Sequence, residues 1–143
     1  MNITVINGPN INFLGIREKN IYGVNTYEDL CKFIREEADK LGVDVSIYQE
    51  NSEGEIINII QKVYGSTDGI IINPGAYTHY SYAIYDAIKS VEINTIEVHI
   101  SNIYKREEFR RKSVIAPACI GQISGLGFYS YKYALEALLE CNF

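Results

Sequence analysis

Apolar positions fall into two alternating rhythms along the chain. Short runs of β-branched residues alternate with longer stretches in which apolar side chains recur three and four positions apart. Asn2–Asn7 reads as a strand, and Gly8-Pro9-Asn10 stops it with a turn signal. From Asn12 to Val24 no clean period holds, and the segment carries Gly15, Arg17, Glu18, Lys19 and Gly23. A charged, flexible loop is expected there, of a length that in a compact domain often serves as a lid.

Thr26 opens the first helix, with Asp29 in place of the usual Glu or Gln of a capping box. Tyr27, Leu30, Cys31, Ile34, Ala38 and Leu41 follow at helical spacing, and Gly42 stands where a C-terminal cap belongs. Val43–Tyr48 is the second strand. Ser52 and Glu55 form a cleaner capping box ahead of Ile56, Ile59, Ile60 and Val63, and Gly65 ends that helix. Gly69–Asn73 is apolar without alternation, as in a strand buried on both faces. After the Pro74-Gly75-Ala76 break, the pattern predicts a helix with Tyr80, Ala83, Ile84, Ala87, Ile88 and Val91 on its buried stripe. Thr95–Ile100 is the fourth strand, and Lys105–Lys112 a short charged helical stretch. Ala118–Ser124 is the fifth strand. Gly125-Leu126-Gly127 leads into a last helix whose Tyr131, Ala134, Leu135 and Leu138 share a face.

Strands alternating with helices imply a parallel sheet covered on both faces. Five strands in this rhythm fit one α/β domain over residues 1–143. The expected fold is flavodoxin-like and doubly wound, with strand order 2-1-3-4-5 and helices on both faces. Length agrees, because 143 residues fill one core and not two. Hydrophobic residues at 47% and charged residues at 22% exclude a disordered or low-complexity chain. The net charge of −5 argues against nucleic acid as the main partner. With no long apolar run and no basic leader, neither a membrane span nor a signal peptide is expected, and a cytoplasmic location follows. Cys31, Cys119 and Cys141 form no CxxC pair, which argues against zinc and dithiol chemistry. Cys31 reads as a small core residue. Gly125-Leu126-Gly127 fails the GxGxxG pattern at its third glycine, and no GxxxxGK[ST] is present.

Ligands of open α/β sheets bind beyond the carboxyl ends of the strands. That edge collects Asn7, Gly8, Pro9 and Asn10 after strand one, and Asn73, Gly75, Ala76 and His79 after strand three. Glu97, His99, Ser101 and Asn102 come from the end of strand four. Both histidines of the chain lie there. Glu97 and His99 flank Val98 and point to the same side of the sheet, where a carboxylate can orient an imidazole and favour its charged form. On these residues alone, a structural His at a strand end reads equally well. Arg106 and Arg110, four apart, share a face if the stretch is helical. They suit either an anionic, hydroxylated substrate or a solvated surface paired with Glu107 and Glu108.

Three blocks in order carry a resemblance. Asn7-Gly8-Pro9-Asn10 is followed by Leu14-Gly15, Arg17-Glu18 and Tyr22-Gly23. Asn73-Pro74-Gly75-Ala76 is followed by Thr78-His79 and Asp86-Ala87. Ile96–Asn102 is followed by Arg106–Arg110. Together they resemble the type II 3-dehydroquinate dehydratases, from about Met1 to the C-terminal helix. The resemblance implies reversible dehydration of 3-dehydroquinate to 3-dehydroshikimate in the shikimate pathway, with no metal, no organic cofactor and no lysine Schiff base. It implies abstraction of the C2 proton, an enolate, and acid-assisted loss of the C1 hydroxyl.

By the same resemblance Tyr22 is the base, helped toward phenolate by Arg17 and Arg106. Asn10 and the backbone near Ala76 stabilise the enolate oxygen. His99 is the general acid, held by Glu97 and Asn73. The Ile100 and Ser101 N–H groups and the Ser101 hydroxyl take the substrate carboxylate, and His79, Asn73 and Arg110 bind ring hydroxyls. Asp86, off its helix's buried stripe, reaches a neighbouring subunit's site near Arg106 in a homododecamer built from trimers. Two positions depart from the family: Tyr80 stands where Thr is frequent, and Ala76 where Gly is. A non-catalytic binding or signalling domain and an inactive scaffold are the competing readings. The first lacks the acidic cluster a receiver domain needs at strand one. The second does not explain why Arg17, Tyr22, His99 and Arg110 occur together.

Overall fold

Five strands, β1 (Asn2–Asn7), β2 (Asp44–Gln49), β3 (Gly69–Asn73), β4 (Thr95–His99) and β5 (Gly121–Ser124), pair in parallel in the order β2-β1-β3-β4-β5. The expected order is the observed one. The computed structural model describes residues 1–16, 18–22 and 24–141, and of residues 19 and 22 the backbone alone. Its helices are α1 (Lys19–Tyr22), α2 (Tyr27–Leu41), α3 (Glu53–Lys62), α4 (Tyr82–Val91) and α5 (Tyr129–Glu140).

Strand register explains how the two layers form. Ile3, Val5, Ile71, Ile96 and Val98 face α2 and α5 in one cluster with Leu30, Ile34, Tyr131 and Leu135. Ile6, Ile70 and Ile72 face α3 and α4 in the other, with Ile56, Ile60, Ile84 and Ile88. Ile70, Ile71 and Ile72 are all fully buried, so their lack of alternation reflects two covered faces. Each such side chain contributes about 1.5–3 kcal/mol.

Local signals set the helix ends. Thr26 Oγ1 accepts from the Asp29 N–H at 3.1 Å, and Asp29 Oδ2 accepts from the Thr26 N–H at 2.9 Å. A shorter Asp thus closes a full capping box, a cap of about 1 kcal/mol. Ser52, which looks cleaner in sequence, accepts from the Glu55 N–H at a longer 3.4 Å. Gly42 closes α2 in the left-handed region at φ 69°.

Five expectations need correction. Where a charged, flexible loop is expected over residues 12–24, a 3-10 turn, Ile11–Phe13, runs into its start and the single helical turn α1 lies within it. Tyr80 and Ala83 are exposed, because a 3-10 turn over Gly75–His79 delays α4 until Ser81 caps it, and the buried stripe is Ile84, Ala87, Ile88 and Val91. Residues 105–112 form no continuous helix. Two separate 3-10 turns, Ile103–Lys105 and Glu108–Arg110, are joined through Arg106 in extended conformation. β5 begins only at Gly121, since Ala116–Ala118 is another 3-10 turn with a proline in it. Cys31 is half-buried rather than in the core proper. Among the described residues no helix is long and apolar enough to cross a membrane.

Candidate active site

The carboxyl ends of β1, β3 and β4 lie side by side, and the segments that leave them are tied together by the backbone. Asn7 pairs with Asn73 in register. The Gly8 N–H then donates to the Asn73 carbonyl at 2.7 Å. A Cβ at position 8 would lie 2.7 Å from the Pro74 carbonyl, so only glycine lets the two turns touch. Asn10 follows at φ 69°, with its N–H on Asn51 Oδ1 at 3.1 Å. Asn is among the residues that tolerate this region.

Tyr131, fully buried on α5, locks these ends from below. Its hydroxyl donates to Asn7 Oδ1 at 2.7 Å and accepts from Asn73 Nδ2 at 3.0 Å. Burial pushes its phenol well above the ordinary range, which keeps it a neutral hydroxyl able to do both. Asn73 Oδ1 accepts from the Gly75 N–H at 3.2 Å. The Asn73 amide therefore braces the turn that carries Ala76 and His79. The expectation that it holds the His99 ring is not met.

Strand alternation puts Glu97 and His99 on one side of β4, and the pair is made. His99 Nε2 donates to Glu97 Oε2 at 2.9 Å. Glu97 is completely buried and His99 nearly so. Glu97 Oε1 also accepts from Ser113 Oγ at 2.6 Å, and Oε2 from Gln122 Nε2. Burial opposes the carboxylate's charge, yet His99, Ser113 and Gln122 together hold its pKa below the ordinary range. Nε2 is thus committed to Glu97, and the His99 residue lines a cavity at this edge of the sheet.

His79 is held differently. Its Nδ1–H donates to the Lys112 carbonyl at 2.8 Å, and its ring meets Phe109 edge-on. Partial burial pushes its pKa below the ordinary value. His99 and Arg110 nearby act in the same sense, against the Lys112 carbonyl and Glu97. His79 therefore stands neutral near pH 7, with Nε2 as an acceptor.

Asn10, Asn73, Ala76, His79, His99, Ile100, Ser101, Arg106 and Arg110 line one cavity of about 90 Å³. A wider groove of about 600 Å³ adjoins it and shares Ile100, Ser101 and Arg106. The two arginines reach the cavity from separate turns, not from one helical face. Both are largely covered yet also meet acidic side chains: Arg110 Nε donates to Glu107 Oε2 at 2.8 Å, and Arg106 lies 3.6 Å from Glu18 and 4.0 Å from Glu107. Arg17 and the Tyr22 side chain lie outside the described residues. Asp86 is exposed on α4 and does not line this cavity.

Sequence reasoning missed Ser113, Gln122 and Tyr131. Gln122 could have been found: once β5 is placed beside β4, a register with Gln122 opposite Glu97 puts an amide against the carboxylate. Ser113 and Tyr131 reach their partners from 16 and 58 residues away and leave no local signal.

The family model described as Dehydroquinase class II matches residues 1–139. A 3-dehydroquinate dehydratase of Clostridium acetobutylicum is 70% identical over 138 residues, which is 96% of each chain. The crystal structure of a type II dehydroquinase from Butyrivibrio crossotus superposes with a TM-score of 0.96 at 58% identity, over 98% of each chain. That of a type II dehydroquinase from Propionibacterium acnes gives 0.92 at 43% identity, over 96% of this chain and 94% of the other.

Proposed function

The chain belongs to the class II dehydroquinase family, and from that premise we propose that it dehydrates 3-dehydroquinate to 3-dehydroshikimate, in the shikimate pathway, by an acid–base route through an enolate. The observation that carries this reading is the Glu97–His99 pair opening onto a cavity that also holds Asn10, Ala76, Ser101 and Arg110.

In this mechanism the Tyr22 phenolate takes the C2 proton, and the electron pair moves onto the adjacent carbonyl oxygen. A free phenol has a pKa of about 10, so the base needs cationic neighbours, and Arg17 and Arg106 supply them. Asn10 and the backbone at Ala76 face the developing enolate oxygen. Preorganised donors of that kind are worth about 3–4 kcal/mol each. Collapse of the enolate breaks the C1–O bond, and His99 gives its proton to the departing hydroxyl, which leaves as water. Glu97 compensates the charge on the His99 ring before transfer and fixes its orientation. The proton on Tyr22 then returns to His99 through solvent. Arg110 and His79 bind ring hydroxyls, and the Ile100–Ser101 segment binds the substrate carboxylate.

The test is direct. Purified protein, with 3-dehydroquinate and a metal chelator, is followed by the ultraviolet absorbance of the conjugated product enone. Product is expected, and none from folded protein overturns the proposal. Tyr22→Phe lowers turnover by about 10²–10⁴ while substrate still binds. Near-parental turnover in that variant excludes Tyr22 as the base.

The exposed Asp86 carboxylate fits a site completed by a neighbouring subunit. We place it beside Arg106 of that subunit in a homododecamer, a tetramer of trimers, in the cytoplasm. Light scattering on the eluting protein is expected to show a large assembly, and a monomer removes the role of Asp86 in trans.

A further inference from the structure

We propose that Ser113 and Gln122 are positioning residues for the dehydration: they clamp the Glu97 carboxylate from both sides so that it can hold His99 in one orientation. This rests on the reading of His99 as the general acid.

A buried carboxylate on a Glu side chain has three rotatable bonds and no intrinsic reason to aim at the cavity. Here each oxygen is spoken for. Ser113 Oγ donates to Oε1 at 2.6 Å, while Gln122 Nε2 and His99 Nε2 share Oε2. The clamp is itself anchored. Ser113 Oγ accepts the Ile115 and Ala116 N–H groups at 3.2 and 2.9 Å, which fixes where its proton points. The exposed Tyr104 hydroxyl donates to Gln122 Oε1 at 3.1 Å. The acceptor-only carboxylate sets the flip, NH₂ toward Glu97, and the Tyr104 hydroxyl satisfies the amide oxygen that this leaves on the far side. Glu97 and Gln122 are also register partners on β4 and β5, so the sheet itself delivers the amide. Supporting partners of this kind commonly decide whether a reacting group sits in a productive geometry.

The titratable groups around Glu97 allow a pH readout. They are His99 on β4, His79 on the turn after β3, and Cys119 ahead of β5. Burial, with the charge of Glu97, pushes the Cys119 thiol up to about 12, so it stays neutral and does not compete. His79 stays neutral near pH 7 as described. Because the two donors help hold Glu97 ionised, losing either raises its pKa. The Glu97 carboxyl then titrates at higher pH, which carbon-13 NMR of labelled protein follows.

The experiment compares Gln122→Leu and Ser113→Ala in two backgrounds, the parent enzyme and Glu97→Gln. In the parent, each lowers kcat about tenfold, the size expected for one hydrogen bond to a charged group, with KM nearly unchanged and the Glu97 titration displaced upward. In Glu97→Gln, neither lowers kcat further, because the carboxylate they act through is gone. Ser113→Thr, which keeps the hydroxyl, restores kcat and guards against a folding defect in Ser113→Ala. Parental kcat and an unmoved Glu97 titration in both variants, with Glu97→Gln and His99→Ala impaired, overturn the clamp and leave the proposed function standing. An equal loss in both backgrounds also overturns it, since the effect would not pass through Glu97. Parental turnover in His99→Ala removes the reading of His99 and the clamp together.

Discussion

The chain has two histidines, they line the same cavity, and the molecule treats them oppositely. His99 ends a strand buried between β3 and β5, and its Nε2 proton goes to a carboxylate. His79 ends a 3-10 turn outside the sheet, and its Nδ1 proton goes to a backbone carbonyl. A carboxylate can compensate a full positive charge on the ring, while a carbonyl favours that charge with a dipole alone, too little at His79 to offset partial burial. In the proposed mechanism His99 therefore carries the proton to the leaving group, and His79 accepts a hydrogen bond from substrate. Residue type says little about role here; the identity of the second-nitrogen partner decides it.

The contrast breaks most visibly at His99. His99→Ala removes the only cavity-lining group backed by a buried carboxylate among the described residues, so kcat falls by about 10²–10⁴. Direct binding measurements should find substrate affinity nearly unchanged. A comparable fall in affinity with little loss of kcat would make His99 a binding group and erase the distinction.

His79→Asn sharpens the comparison from the other side. The Asn side-chain amide can still donate to the Lys112 carbonyl, so the turn is kept while the Nε2 acceptor is lost. KM rises about tenfold, the cost of one neutral hydrogen bond, and kcat stays within about threefold. Steady-state kinetics on the pair of variants separates the two roles. A kcat loss matching that of His99→Ala would assign His79 to the proton transfers.

The sequence shows this contrast in part. Strand order follows from the β-branched runs and their rhythm, and alternation about Val98 is enough to pair Glu97 with His99. Both are short-range patterns with a fixed period. The features that escape are those set by distant partners. Arg106 and Arg110 read as one helical face, yet they converge from two 3-10 turns because the backbone extends between them. Asn73 reads as a brace for His99, yet Tyr131 on α5 draws its amide toward β1. Tyr80 matches a helical period, yet the helix starts after it, where Ser81 Oγ accepts the Ile84 N–H and donates to Glu53. Nothing local tells Gln122 from an ordinary polar residue until β5 lies against β4, and Ser113, outside the strands, gives no signal even then.

The smallest expected effect concerns stability and separates the two environments by pH alone. His79 has a folded pKa below its ordinary value, chiefly because partial burial disfavours its charged form. Below about pH 6.5 the unfolded chain takes up a proton at this position that the folded chain resists. The His79 contribution is therefore complete above that pH and is lost progressively as pH falls toward the folded value. Glu97 acts over a lower window. Its folded pKa is also depressed, so its contribution persists above about pH 4.3 and disappears only as pH falls through the folded value. The two windows do not coincide. Melting temperatures measured between pH 7.5 and pH 5 at constant ionic strength, as approximate bounds of the His79 window, should decline slightly more steeply in the parent than in His79→Asn. The variant lacks the titrating ring and keeps the bond to Lys112. Identical slopes would mean that the ring is as well solvated as in the unfolded chain, and the neutral tautomer assigned to His79 would lose its physical cause.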